Sequence, residues 1–230
     1  MSRSKAVVLL SGGMDSVVAL GATLNEGFEA AGLHLNYGQK TEKREERAFK
    51  EICEFYGIQK SLIVSLPYFR QVGGSSLTDE KIPVSTSGVD PKVIPTSYVP
   101  FRNAHGLSIA ASWAEVLGAS RIVIGAVEED SSGYPDCREV FYRAFEKAIR
   151  LGTRPETKIE ISTPVIHFSK VEIVRTGTEL GVPFYLTWSC YQSEDAACAV
   201  CDSCRLRLKG FAGAGVEDPI SYKEKEKIYA

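Results

Sequence analysis

The stretch Ala6-Val7-Val8-Leu9-Leu10-Ser11-Gly12-Gly13-Met14-Asp15-Ser16 decides the architecture. Residues 6–10 are apolar at every position, which marks a strand buried on both faces. Ser-Gly-Gly-Met-Asp-Ser then reads as a tight turn, and a helical pattern runs from Met14 to about Glu26, closed by Gly27. A strand covered on both faces needs helices above and below it, so a layered α/β fold is expected.

The flanking sequence repeats this grammar. Residues 31–35 read as a second strand. Residues 41–56 read as a charged amphipathic helix, with Ala48, Phe49, Ile52 and Phe55 on one face and Gly57 as its stop. Further strands are expected at 61–65, 121–126 and 158–163, and helices at 103–117, 139–151 and 169–180. The last of these has Ser169 as N-cap and Glu172 at N3, a capping box. Alternating strands and helices imply a parallel sheet with right-handed crossovers, hence a three-layer Rossmann-like fold. Residues 67–100 break the pattern with five prolines and Gly73-Gly74. A stretch that long without a period suggests a lid, a binding loop or a disordered segment.

Composition excludes several classes. A 230-residue chain suits one large domain, or one with a small appendage. Its 44% hydrophobic and 24% charged residues exclude collagen, coiled coil and a wholly disordered chain. A net charge of −2 argues against a strongly basic nucleic-acid binder. No run approaches the roughly 18–20 apolar residues of a membrane span. The apolar run after Arg3 and Lys5 is too short for a secretory signal, so a cytoplasmic protein is expected.

The turn at 11–16 sits where ligands bind in open parallel sheets, at the carboxyl end of a strand. Gly12 and Gly13 let the backbone turn sharply and approach a ligand, and the helix N-terminus favours an anion. Ser11 and Ser16 offer further donors. Asp15 beside phosphates makes sense as a Mg²⁺ ligand or as a helix cap. The turn is neither a Walker A motif nor a GxGxxG fingerprint, because the lysine is missing and the spacing differs.

Four of six cysteines, Cys190, Cys198, Cys201 and Cys204, follow the spacing C-x7-C-x2-C-x2-C. Four convergent thiolates suit tetrahedral Zn²⁺, with an iron–sulfur cluster or a redox-active Cys-x-x-Cys as the other readings. Arg205, Arg207 and Lys209 follow directly, and either balance thiolate charge or form a solvated helix face. Cys137 is read as a packing residue and His34, His105 and His167 as structural. Glu128, Glu129 and Asp130 form an acidic run able to assist Mg²⁺ or simply to be solvated.

The Ser-Gly-Gly-Met-Asp-Ser loop resembles the SGGxDS loop of the ATP pyrophosphatase (PP-loop) superfamily, which cleaves ATP between the α and β phosphates. Five further stretches occur in order: Tyr98-Val-Pro-Phe-Arg-Asn103, Ser132-Gly-Tyr-Pro-Asp-Cys-Arg138, Thr187-Trp-Ser-Cys-Tyr191, Cys201-Asp-Ser-Cys-Arg205 and Gly215-Val-Glu-Asp-Pro219. Together they resemble the QueC family, the 7-cyano-7-deazaguanine synthases of queuosine-precursor biosynthesis, over about residues 5–222. The resemblance implies an adenine nucleotide alpha hydrolase-like domain over 1–186 and a four-cysteine zinc segment over 187–230. It implies a carbon–nitrogen ligase that converts 7-carboxy-7-deazaguanine, free ammonia and ATP with Mg²⁺ to the nitrile. It also implies a homodimer that needs neither nucleic acid nor membrane. The whole length is used by these two parts, leaving no room for a glutaminase domain.

Carried onto this chain, Leu10, Ser11, Gly12, Gly13, Met14, Asp15 and Ser16 are the expected ATP loop. Asp15, Arg102 and Lys170 are the expected catalytic residues, Arg102 and Lys170 as contacts to phosphate and developing charge and Asp15 through the metal or the loop geometry. Tyr134, Asp136 and Arg138 are the expected substrate contacts, with Tyr98 a second stacking candidate. Three other readings stay open: a tRNA-modifying PP-loop thiolase, a non-enzymatic nucleotide-binding zinc module, and a relative that modifies protein substrates.

Overall fold

The computed structural model describes residues 3–88, 93–128 and 133–223. Five parallel strands form one sheet: β1 (Lys5–Leu9), β2 (Glu29–Asn36), β3 (Lys60–Ser65), β4 (Arg121–Ile124) and β5 (Glu160–Ser162), in the order β3-β2-β1-β4-β5. β1 is central, and Ala6, Val7 and Val8 are wholly buried, as their unbroken apolar run requires. β2 and β3 extend the sheet on one side of β1, β4 and β5 on the other. The order in which strands are added therefore reverses between β1 and β4, and the crevice above that point is where such sheets bind ligands.

Among the described residues, seven α-helices accompany the strands: α1 (Met14–Asn25), α2 (Glu42–Phe55), α3 (Phe69–Val72), α4 (Arg102–Leu117), α5 (Glu139–Gly152), α6 (Lys170–Glu179) and α7 (Asp202–Ala214). α2 buries Ala48, Phe49, Ile52 and Cys53 and turns its charged side outward, as its pattern predicts, while Phe55 is half exposed. The capping box of α6 is present, with Ser169 and Glu172 satisfying each other's backbone N–H groups. β4 and β5 are shorter than the sequence suggests and pair over three residues only, whereas the other edge strand, β3, is one residue longer. Among the described residues, no helix is long and apolar enough to cross a membrane.

Two segments depart from the sequence reading. The described part of 67–100 is not a loose lid: apart from the single turn of α3 it is irregular but partly buried. Ser75, Ser76 and Leu77 are buried, Lys40 N–H donates to the Leu77 carbonyl, and Ser76 N–H donates to the Thr96 carbonyl. Small polar side chains replace apolar ones here, so no hydrophobic period announces the packing. The cysteine region ends in a full helix, α7, which packs tightly on α6. A Cβ on Gly210 would lie 2.8 Å from the Lys170 carbonyl oxygen, and one on Gly213 would lie 2.6 Å from Val171 Cγ2. Cys190, Cys201, Cys204 and Phe211 share one core with Val8, Leu20 and Ile173. Residues on both sides of position 187 thus bury one continuous apolar interior.

Candidate active site and metal centre

A cavity of about 270 Å³ opens above the carboxyl ends of β1, β2 and β4. Its floor is the loop that joins β1 to α1. Gly12 takes φ +85°, and a Cβ there would press to 3.0 Å against both the Ala48 side chain and the Glu45 carbonyl of α2. Gly12 is therefore demanded by the fold itself. Gly13 is different: its φ is −79°, open to any residue, and it serves as the N-cap of α1 without a side-chain cap. By helix geometry the first-turn N–H groups have no intrahelical acceptor, so they are left for an anion. The Ser11 and Ser16 hydroxyls bond each other at 3.2 Å across the loop, and Ser16 donates to the Gly13 carbonyl.

Asp15 is not a cap. Its Oδ2 accepts from Lys170 Nζ at 2.6 Å, and its Oδ1 is enclosed with no hydrogen-bond partner among the described residues. An enclosed carboxylate oxygen without a donor is costly unless a cation completes it. That oxygen fits the Mg²⁺ role, and it lies on the cavity wall with Lys170. The closest approach to the loop comes from Gly125, just after β4. A Cβ there would lie 2.5 Å from Ser16 Cα, so only glycine fits.

Arg102 forms the opposite wall. It follows Phe101, a non-glycine residue at φ +60°, whose N–H is held by the Tyr98 hydroxyl at 3.0 Å. This local strain sets the direction in which Arg102 leaves the start of α4. Arg102 donates to the Tyr37 hydroxyl at 2.8 Å and lies over that ring. Burial works against its charge, but the Tyr37 and Tyr134 phenols and the Asp136 carboxylate more than offset it, and its pKa rises.

The substrate candidates divide. Tyr134 lines the cavity, donates to Ser97 Oγ at 2.9 Å and lies beside the Tyr98 ring, 5.6 Å between centroids. Asp136 and Arg138 are outside the lining. Asp136 is buried and accepts the Asn103 backbone N–H at 3.0 Å, which caps α4 and fixes Arg102 next door. Arg138 is exposed and donates to the Pro135 carbonyl of its own turn. Cys137 is buried, its thiol pushed up to about 12 chiefly by desolvation, as a packing residue should be. Glu128 accepts the Glu139 N–H at the start of α5, while Glu129 and Asp130 lie outside the described residues.

Several cavity residues were not among the expected site residues: Tyr37, Glu45 and Gly125, and also Trp188 and Tyr191, which lay in the quoted stretch 187–191 without an assigned role. Gly125 had a signal, since a glycine at a buried strand's end marks close approach. Glu45 had none, being one of five acidic residues in a charged helix.

The four cysteine sulfurs all lie within 4.8 Å of one another, and Cys198 Sγ is 3.9 Å from Cys204 Sγ. A tetrahedral ion about 2.3 Å from each sulfur would set them about 3.8 Å apart, so the cluster can hold a metal. Ala199 at φ +65° makes the sharp turn between Cys198 and Cys201. Without a cation the four sulfurs cannot share negative charge. The Cys201 and Cys204 thiols hydrogen-bond to Cys190 and hold it well below the usual thiol range, and those bonds in turn push Cys201 and Cys204 up. Arg207 does not balance this charge, contrary to the sequence reading. It is fully buried, paired bidentately with Asp218 at 2.7 and 2.9 Å, and also donates to Thr187 and the Phe184 carbonyl. Trp188 N–H donates to the Gly12 carbonyl at 2.8 Å, so this segment touches the loop directly.

An open parallel sheet with an uncapped glycine loop at its switch point defines an α/β nucleotide-binding fold. A 4-thiouridine synthetase, solved as an RNA complex with bound ATP, shares that fold, with a TM-score of 0.52 at 20% identity. The match covers 95% of this chain and 47% of that one. The family model described as "Queuosine biosynthesis protein QueC" matches residues 5–215. A 7-cyano-7-deazaguanine synthase of Chlorobaculum parvum is 58% identical over 95% of this chain and 96% of its own. Those of Chloroherpeton thalassium and Nautilia profundicola are 59% and 56% identical, over 95% and 96% of this chain and 97% and 99% of their own. This chain belongs to the QueC family.

Proposed function

We propose that this protein is an ATP-dependent ligase that makes 7-cyano-7-deazaguanine from 7-carboxy-7-deazaguanine and ammonia. The observation that carries the reading is one cavity joining an uncapped phosphate loop, the Asp15–Lys170 pair and the Arg102 wall. A carboxylate is a poor electrophile, because its leaving group would be oxide. Transfer of AMP to the carboxylate oxygen replaces oxide by AMP, and ammonia then gives the amide. A second adenylylation, on the amide oxygen, lets that oxygen leave as AMP and yields the nitrile.

Residues 10–16 hold the ATP phosphates through backbone N–H groups. Arg102 holds the substrate carboxylate, and Lys170 neutralises charge that develops at the α-phosphate. Tyr134 offers a face for the deazapurine, while Asp136 positions Arg102 and Arg138 steadies the turn that carries both. A Mg²⁺ ion, bound by Asp15, supplies charge neutralisation for the phosphates. Zn²⁺ in the four-cysteine site is structural, because all four ligands are protein sulfurs and none is left open for substrate. The protein acts in the cytoplasm as a homodimer, without a nucleic-acid partner.

The test is product analysis. The protein with the acid, ATP, Mg²⁺ and ammonium chloride is expected to give nitrile, AMP and pyrophosphate, with about two ATP consumed per nitrile. The amide, started separately, is expected to give nitrile with about one. ATP cleavage without nitrile, or no turnover of either compound, overturns the reading.

A further inference from the structure

One partly buried carboxylate of the cavity wall has no part in the steps above. Glu45 comes from the first turn of α2 and lines the cavity. Its own backbone carbonyl abuts Gly12 of the phosphate loop, and its charge is felt by Arg102 and Tyr37 on the other wall. It therefore stands between the places for ATP and for the carboxylate.

Glu45 is held with unusual care. Thr41, the N-cap of α2, does not use its hydroxyl on the helix N-terminus but donates it to Glu45 Oε1 at 2.7 Å. Gln39 Nε2 donates to Oε2 at 3.1 Å. The Gln39 amide cannot turn over, because its Oε1 accepts the Tyr37 backbone N–H at 2.9 Å. Thr41 and Gln39 are themselves buried, 2% exposed each. Each carboxylate oxygen thus receives one donor and keeps a second lone pair for another.

We propose that Glu45 binds incoming ammonium and takes its proton beside the adenylylated carbonyl. This rests on the synthase reading above. Ammonium is the abundant species near neutral pH but has no lone pair, so the nucleophile must be made at the site. One proton passes from NH₄⁺ to the Glu45 carboxylate. The freed nitrogen lone pair forms the C–N bond, and the C–O bond to AMP breaks with its electron pair leaving on the AMP phosphate. The nitrogen then sheds a second proton to water, which leaves the amide.

The groups facing Glu45 set its proton affinity. Desolvation raises it most, Thr41, Gln39 and Arg102 lower it, and Glu42 raises it, with the result near about 7. Asp15, Lys170 and Arg207 are the other charged residues of the cavity wall. A carboxyl poised there accepts a proton and returns it at neutral pH, as a general base should.

The experiment compares Glu45→Gln with the wild type from two starting points, acid plus ammonium and preformed amide, which needs no ammonium. The glutamine can accept from Gln39 and donate to the Thr41 hydroxyl, so the local hydrogen bonds survive. The expected result is a loss with acid that exceeds the loss with amide by about a hundredfold. The variant's acid-started rate is expected to rise about tenfold per pH unit, in step with free ammonia. Equal losses from both starting points, or wild-type ammonium dependence, overturn the proposal. If the wild type converts neither compound, the synthase reading falls and takes this proposal with it. Should Glu45→Gln not fold, Thr41→Val decides. Losing that donor moves the acid limb of the ammonium-dependent rate to higher pH and leaves the amide-started limb in place, whereas coincident limbs overturn the proposal.

Discussion

The phosphate loop and the cysteine cluster are both short, local motifs, yet they solve opposite problems. The loop contributes absence: two glycines without Cβ, a helix end without a cap, a carboxylate oxygen without a donor. Its ligand must come and go, so its groups are positioned by what surrounds them. The cluster contributes presence: four sulfurs crowded within 4.8 Å, unable to carry their charge without a permanent ion. The two regions meet at Lys170, whose backbone packs on Gly210 of α7 while its side chain holds Asp15 of the loop. The cysteine-bearing segment thus supports the loop through Lys170 and also lends Trp188, Tyr191 and Arg207 to the cavity wall.

The sharpest way to break this contrast is to damage each region and ask what is lost. Cys201→Ser removes a metal ligand, and structural zinc in small sites supplies on the order of 10 kcal/mol of folding energy. Soluble yield and protease resistance are expected to collapse, and elemental analysis of the wild type is expected to find about one zinc per chain. Iron with labile sulfide in stoichiometric amount contradicts the metal assignment. Arg207→Leu leaves the buried Asp218 unpaired, a loss of about 3–5 kcal/mol in urea unfolding with zinc present, whereas exposed Arg205→Ala changes little.

The loop answers in rate instead. Asp15→Ala and Gly13→Val are expected to stay folded, since Gly13 has an ordinary φ, but to lose about a hundredfold or more with acid and amide alike. Single-turnover assays check this. If Asp15→Ala converts amide to nitrile at the normal rate, one site does not serve both activations. Gly12→Ala offers the internal contrast, because its Cβ would meet α2 and its φ is left-handed, so thermal stability is expected to fall.

Smaller effects refine the picture. The Glu45 carboxyl is raised from its ordinary 4.5 to about 7, so the folded state holds its proton more tightly than the unfolded chain does. Stability contributed by this group is therefore present below about pH 4.5 and lost as pH rises through about 7. Glu45→Gln removes that loss. Its gain in unfolding free energy is expected to be absent below about pH 4.5 and to grow towards pH 8, to about 1–3 kcal/mol. A gain that shrinks with pH contradicts the raised value. Ser169→Ala dissolves the capping box in front of Lys170 and is expected to cost about 1 kcal/mol in urea unfolding.

Much of this molecule is written in local signals. The unbroken run at 6–10 determined a strand buried on both faces, and the alternation after it determined the parallel sheet. Gly12 and Gly13 marked the loop, Ser169 and Glu172 the start of α6, and the cysteine spacing the four-sulfur cluster. Each depends on neighbours in sequence, through backbone geometry, helix capping or chelation, so it survives without the rest of the fold. The remainder depends on distant partners. The role of Gly125 follows from α1 crossing above β4, that of Asp136 from the N-terminus of α4 lying beside it, and that of Arg207 from Asp218 closing over it. Glu45 looks like any charge on a solvated helix until Thr41, Gln39 and the loop enclose it. Desolvation and long-range pairing have no period in the chain, and only the tertiary structure decides which of many similar charges is taken out of water.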